Sequence, residues 1–82
     1  MDTEVYIGTI QLFGFFFAPS GWLSCEGQTL NITQYQALFA LIGNTYGGDG
    51  RTTFAVPNLN GAAPLPNMKY YIALTGIYPT RD

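Results

Sequence analysis

The stretch Tyr46-Gly-Gly-Asp-Gly-Arg-Thr-Thr-Phe-Ala-Val-Pro-Asn-Leu59 constrains this chain more than any other. It opens with three glycines in four residues, Gly47, Gly48 and Gly50, on either side of Asp49. Glycines set this closely serve a backbone that needs positive φ or that lies against another backbone. Thr52, Thr53, Phe54 and Val56 then form a β-branched and aromatic run, and Pro57 closes it. Such a run reads as a short strand, and proline ends a strand or marks an edge. The stretch is therefore a specified loop feeding a strand, with the rest of the chain built on either side.

Before the loop, Val5, Ile7, Thr9, Gln11 and Phe13 alternate with Tyr6, Gly8, Ile10, Leu12 and Gly14. A period of two with β-formers predicts a strand running from Glu4 to Phe17. Three consecutive phenylalanines, Phe15, Phe16 and Phe17, cannot all face one core in an extended chain, so at least one is expected to point outward. Ala18-Pro-Ser-Gly21 reads as a turn with proline in its second position. Trp22 to Cys25, a tight turn at Glu26-Gly-Gln28, and Thr29 to Asn31 read together as a small hairpin. A helix is expected over about 34–42, with Leu38, Leu41 and Ile42 on one face. Thr33 and Gln36 have the spacing of a capping box, Ile32 can staple onto the first turn, and Gly43 suits the C-terminal end.

After the loop, residues 57–68 hold three prolines and three asparagines without periodicity and read as loop. Tyr70, Ile72 and Leu74 then alternate with Tyr71, Ala73 and Thr75, predicting a closing strand over about 69–78. The expectation is one α+β domain over 1–82, β-rich, with one short helix and three or four short strands. Trp22, Cys25, Leu38 and Leu41 are its expected core.

Composition decides what kind of partner to expect. Apolar residues make up 48% of the chain and charged residues only 10%, against about 25% in an ordinary soluble domain. A chain of 82 residues buries only about 60% of its unfolded surface. Part of the apolar surface is therefore expected to meet other copies of the chain. The expected contacts are Val5, Ile7, Phe13, Phe15, Phe16, Tyr70, Tyr71, Ile72, Leu74 and Ile77, with either terminal strand adding to a neighbour's sheet edge. Arg51, Lys69 and Arg81 are the only cations, so there is no basic stripe for nucleic acid and nothing to hold an anionic membrane. The run Leu12 to Ala18 is too short to span a bilayer, and the acidic start Met-Asp-Thr-Glu is unlike a standard signal peptide.

Catalysis finds little to stand on. There is no histidine, which removes the commonest general base and most zinc sites. Ser20 and Ser24 have no evident base, and the single Cys25 reads as a small buried hydrophobe. Gly50-Arg51-Thr52 only faintly resembles the end of a P-loop: Thr45 stands where glycine is required and Arg51 where lysine is. Asp49 alone makes no calcium loop. Asn31-Ile-Thr33 is a formal glycosylation sequon, but Thr33 is already assigned to the helix cap. No enzyme activity and no cofactor is expected. Exposed tyrosines near the loops, Tyr35, Tyr46, Tyr70 and Tyr71, can stack on sugars or pack against subunits.

Ile7-Gly-Thr-Ile10, Phe17-Ala-Pro-Ser-Gly-Trp22, Cys25-Glu-Gly-Gln28, Leu38-Phe39 and the stretch from Tyr46 to Leu59 occur in an order that resembles the phage tail-collar domain, as found in microcystin-dependent proteins. The resemblance covers about residues 6–65, and Tyr71 to Arg81 is similar to the segment that ends those proteins. It implies a non-enzymatic structural role in tail fibres or phage-derived proteins, associated with trimeric fibrous assemblies. Location would then be a virion tail, a cell surface or the extracellular space. Two departures stand out. Longer members carry a variable segment before the closing strand, whereas here Pro64-Leu-Pro66 leads almost directly to Lys69. Phe15 and Phe16 stand where smaller or polar residues are usual. The leading expectation is a self-assembling fibre subunit, as a homo-oligomer or filament. The alternative is an adhesion module that takes a cell-surface glycan on the loop formed by Tyr46, Gly47, Gly48, Asp49, Gly50, Arg51 and Thr52, backed by Phe54 and Pro57.

Overall fold

The computed structural model describes residues 5–80. The expected strand start at Glu4 and the terminal Arg81 lie outside the described residues. Five short strands and one helix are present: β1 (Ile10–Phe13), β2 (Trp22–Ser24), β3 (Thr29–Asn31), α1 (Gln36–Ile42), β4 (Thr53–Ala55) and β5 (Lys69–Ala73). The α+β, β-rich character follows the sequence, with one strand more than the three or four expected.

The strands form two sheets. One has the order β1-β5-β2 and the other pairs β3 with β4, all antiparallel. The expected hairpin of residues 22–31 is therefore corrected: β2 and β3 follow each other in the chain but belong to different sheets. The connecting residues run on as an irregular ladder. Leu59 N–H donates to Cys25 C=O, Glu26 bridges Asn58, Gly27 N–H donates to Pro57 C=O, and Val56 N–H donates to Gln28 C=O. Residues 25–32 thus lie antiparallel to residues 52–59, and the helix and glycine loop close the far end of that pairing. The ladder carries the chain from the first sheet to the second without a break in the core.

The first strand is shorter than its alternation suggests. Thr9 N–H donates to Tyr6 C=O, a turn that separates β1 from Tyr6, which instead bridges Ile77. The closing strand also stops early, at Ala73, and residues 74–76 bend before that bridge. The turn after the phenylalanines closes between Pro19 C=O and Trp22 N–H, so proline sits in its first position, one residue out from the expected frame.

The helix begins at Gln36, two residues later than expected, and the capping box does not form. Thr33 Oγ1 donates to the Asn31 side chain at 3.1 Å, and the residue at the N-cap is Tyr35, with no side-chain cap bond. A β-turn over Asn31–Gln34 uses the residues that would have been the first turn. The C-terminal end agrees with the sequence: Gly43 N–H donates to Phe39 C=O at 2.7 Å.

The core is a cluster of Cys25, Leu38, Phe54, Val56 and Ile72, where the helix meets both sheets. Leu38 is the one residue of α1 fully buried, with Phe39 and Ile42 packing beside it. Phe39 meets the Phe54 ring edge-on at 5.3 Å. Of the four residues expected in the core, Cys25 and Leu38 lie in it. Leu41 is half-buried outside the cluster. Trp22 is half-buried in a separate aromatic group, with its ring edge-on to Phe13 at 5.3 Å.

Candidate functional site

The glycine loop is built around one carboxylate. Asp49 Oδ1 accepts from the backbone N–H of Arg51, Thr52 and Thr53 at 2.8, 2.8 and 3.0 Å. Its Oδ2 accepts from Thr52 Oγ1 at 3.0 Å, and Asp49 N–H donates back to Thr53 Oγ1 at 3.1 Å. An aspartate two and three residues before free N–H groups folds the chain onto itself in this way. The bonds, with Thr53 N–H first among them, hold the Asp49 carboxyl far below the usual carboxylate range.

The loop also seals a strand. The outer backbone of β4 pairs with it, Ala55 N–H donating to Gly47 C=O at 3.1 Å and Gly50 N–H donating to Thr53 C=O at 2.9 Å. This contact explains the need for glycine at position 48, where φ is +90°. A Cβ there would stand 2.3 Å from Phe54 Cα and 2.6 Å from Thr53 C=O, both backbone atoms that cannot step aside. Phe54 and Pro57, expected as part of the loop motif, are buried behind it. Of the expected loop residues, Tyr46, Gly48, Asp49, Arg51 and Thr52 are exposed.

This arrangement leaves the loop little free chemistry. Its one acid is committed to its own backbone. Among the described residues no group of three metal-ligating side chains comes together. Ser24 Oγ accepts from the Gln28 amide and lies beside the Glu26 carboxylate, which is itself held by Lys69. Burial pushes the Cys25 thiol up to about 11, so it is an inert part of the core.

The second feature is an aromatic ridge. Phe13, Phe15 and Phe17 stack in sequence, with centroids 5.2 and 4.5 Å apart. Phe16 is 62% exposed and Phe17 67% exposed. Lys69 lies 5.9 Å from the Phe16 ring centroid and forms an ion pair with Glu26. The hydrogen bond in that pair lowers the Glu26 carboxyl below its ordinary range and raises the Lys69 ammonium above its own. Beside the ridge a groove of about 230 Å³ is lined by Phe16, Leu59, Asn60, Gly61, Ala63, Met68 and Lys69.

The other expected contact residues separate into two groups. Tyr71 and Ile72 are 1% exposed and are core residues, not surface. Tyr71 also spans to the ridge, its hydroxyl donating to Phe15 C=O at 3.0 Å. Ile7, Tyr70 and Leu74 pack onto the core, and Val5 is half-buried. The closing strand cannot add to a neighbour's sheet, because β5 is the central strand and both its edges are taken. Phe16 and Ile77 are surface residues as expected, and Phe13 and Phe15 are half-buried. Phe17, Ile10 and Tyr6 are exposed apolar residues that the alternation alone did not single out.

The phage tail collar domain family matches residues 8–64, a span that holds the glycine loop, the helix and four of the strands. The chain belongs to the phage tail collar domain family. That family is structural rather than enzymatic, and membership places this domain among the parts of a phage tail. No curated protein and no solved structure gives a significant match. Among the described residues no helix is long and apolar enough to cross a membrane.

Proposed function

We propose that this chain is a self-assembling subunit of a tail fibre or collar, held in place by contacts between its own copies. The observation that carries the proposal is the exposed pair Phe16 and Phe17. It lies within a span, Val5 to Cys25, that contains no charged residue at all. Withdrawing one phenylalanine side chain from water is worth about 1.5–3 kcal/mol. Exposed aromatic groups of this kind mark protein contacts.

The adhesion reading has one observation in its favour: Tyr46 and Arg51 are both exposed at the ends of the loop. It is the weaker reading, because Asp49, the group best able to grip sugar hydroxyls, already accepts four hydrogen bonds from its own loop.

Phe16→Asp and Phe17→Asp test the proposal, made separately since an acid at position 16 can pair with Lys69. Assembly is followed by light scattering on a sizing column. Both variants are expected to run as smaller species than the unaltered chain while keeping its circular dichroism. Assemblies of unchanged mass in both variants would remove the ridge as the contact. A glycan array that loses its signal with Tyr46→Ala and Arg51→Ala, while assembly is intact, would favour adhesion.

A further inference from the structure

We propose that two copies of the chain join through β1, antiparallel and about a two-fold axis that passes between the two Gln11 residues. The inference rests on the assembly reading above and gives it a partner and a geometry.

β1 leaves one edge of its sheet open. β1 pairs with β5 on one side, in the register Ile10↔Ile72, Gln11↔Tyr71, Leu12↔Tyr70 and Phe13↔Lys69. Antiparallel pairing uses alternate residues. Ala73 N–H donates to Thr9 C=O, which fixes the phase: residues 9, 11 and 13 turn their backbone to β5. The N–H and C=O groups of Ile10 and Leu12 therefore point away from the sheet. Among the described residues no other backbone group bonds to them. The other sheet shows how this chain treats an edge that it intends to close: the glycine loop bonds along β4.

Along Ile10–Phe13 this edge is little protected. A strand edge that stays single usually carries a charge, a proline or a bulge. β1 reads Ile-Gln-Leu-Phe, and no charged residue occurs between Val5 and Cys25; the bulge that Gly8 and Thr9 form opposite Ala73 lies before the strand and leaves the Ile10–Phe13 edge open. Proline first appears at Pro19.

The apolar face of the sheet runs past the core and off its edge. Ile72 is 1% exposed, yet its register partner Ile10, on the same face, is 38% exposed. Leu12, beside Tyr70, is half-buried. What completes such a face is a further strand with apolar residues on that same face and no charge. β1 of a second copy is that strand. With Gln11 opposite Gln11, Ile10 meets Leu12 of the other copy, and every outward N–H and C=O of both strands is used. The two apolar faces become one. The central pair is of the non-hydrogen-bonded kind, with its side chains closest, and the two glutamine amides can bond to each other. A contact about a two-fold closes on itself. Growth beyond two copies then falls to the Phe16–Phe17 ridge.

A two-fold has a signature that no head-to-tail contact shares: Gln11 faces itself. Gln11→Lys and Gln11→Glu place like charges directly opposite, which is unfavourable. Gln11 is exposed, so each variant is expected to fold. Each alone is expected to lose the two-chain species in sedimentation at low salt. The two mixed are expected to regain it as a mixed pair, and added salt should weaken that pair. In the unaltered protein, exchange at the Ile10 and Leu12 amides should slow as protein concentration rises. This last measurement decides the matter even if a variant fails to fold.

Single variants that keep the two-chain mass would overturn the two-fold while leaving self-assembly standing. A mixture that stays single, or exchange at Ile10 and Leu12 independent of concentration, would do the same. A chain that is single at every concentration would overturn both readings.

Discussion

Gly48→Ala isolates the contact on which the loop depends, and Gly61→Ala supplies the comparison. Both glycines have positive φ, +90° and +81°. An added Cβ at Gly61 meets nothing within 4 Å, whereas at Gly48 it meets Phe54 Cα at 2.3 Å. The cost of left-handed backbone, about 1–2 kcal/mol, is common to both. It is offset by about 0.4–1 kcal/mol from the stiffer unfolded chain. Gly61→Ala should therefore lose about 0.5–1 kcal/mol. At Gly48 the loop must also lift off β4. That breaks the bonds from Ala55 to Gly47 and from Gly50 to Thr53, worth about 1 kcal/mol each. The total is about 3 kcal/mol. A chain of 82 residues has about 4–12 kcal/mol in all. Urea unfolding read by the fluorescence of the single Trp22 measures the difference. With a slope of about 1 kcal/mol/M the two midpoints should differ by about 2 M. Two protein concentrations are needed, since assembly itself stabilises. If the two variants unfold within about 0.5 kcal/mol of each other, close to the scatter expected of such comparisons, the backbone contact at Gly48 does not exist.

Two further outcomes follow from the site. Asp49 and Glu26 both have folded pKa values below their unfolded ones. Their contribution is present above the ordinary carboxylate pKa, about 4, and is lost as pH falls below it toward the folded values. The urea midpoint should therefore drop below about pH 4. Asp49→Asn should lower it at neutral pH and flatten the acid dependence, and an unchanged profile would contradict the loop geometry. Cys25 should react with a thiol reagent at pH 8 only as fast as the chain unfolds, and rapid labelling of the folded chain would contradict its burial.

The sequence reads well where a local rule governs the chain and poorly where a distant partner does. The glycine loop, the end of the helix at Gly43, and the strands at Trp22 and Thr29 are set by residues a few positions apart. Partners are not. Nothing in Trp22–Asn31 says that its two strands enter different sheets, because the register of each is fixed by a strand more than twenty residues on. β5 carries a sign of its central place in the sheet. Tyr70 and Ile72 on one face and Tyr71 and Ala73 on the other describe a strand covered on both faces, which belongs in the middle of a sheet. Thr33 shows a local rule losing to a local competitor, since the turn from Asn31 to Gln34 takes the residues that the capped first turn would have used. Asp49 carried its signal openly, as an aspartate followed by Gly-Arg-Thr-Thr, and its geometry answers as a scaffold and not as a ligand.

Self-association is the central claim, and the mass of the unaltered protein tests it most directly. Light scattering on a sizing column, with negative-stain microscopy of the same fractions, gives that mass and the shape. The account predicts species of two chains or more, growing with concentration. A single chain at every concentration, with Phe16 and Phe17 left in water, would contradict it.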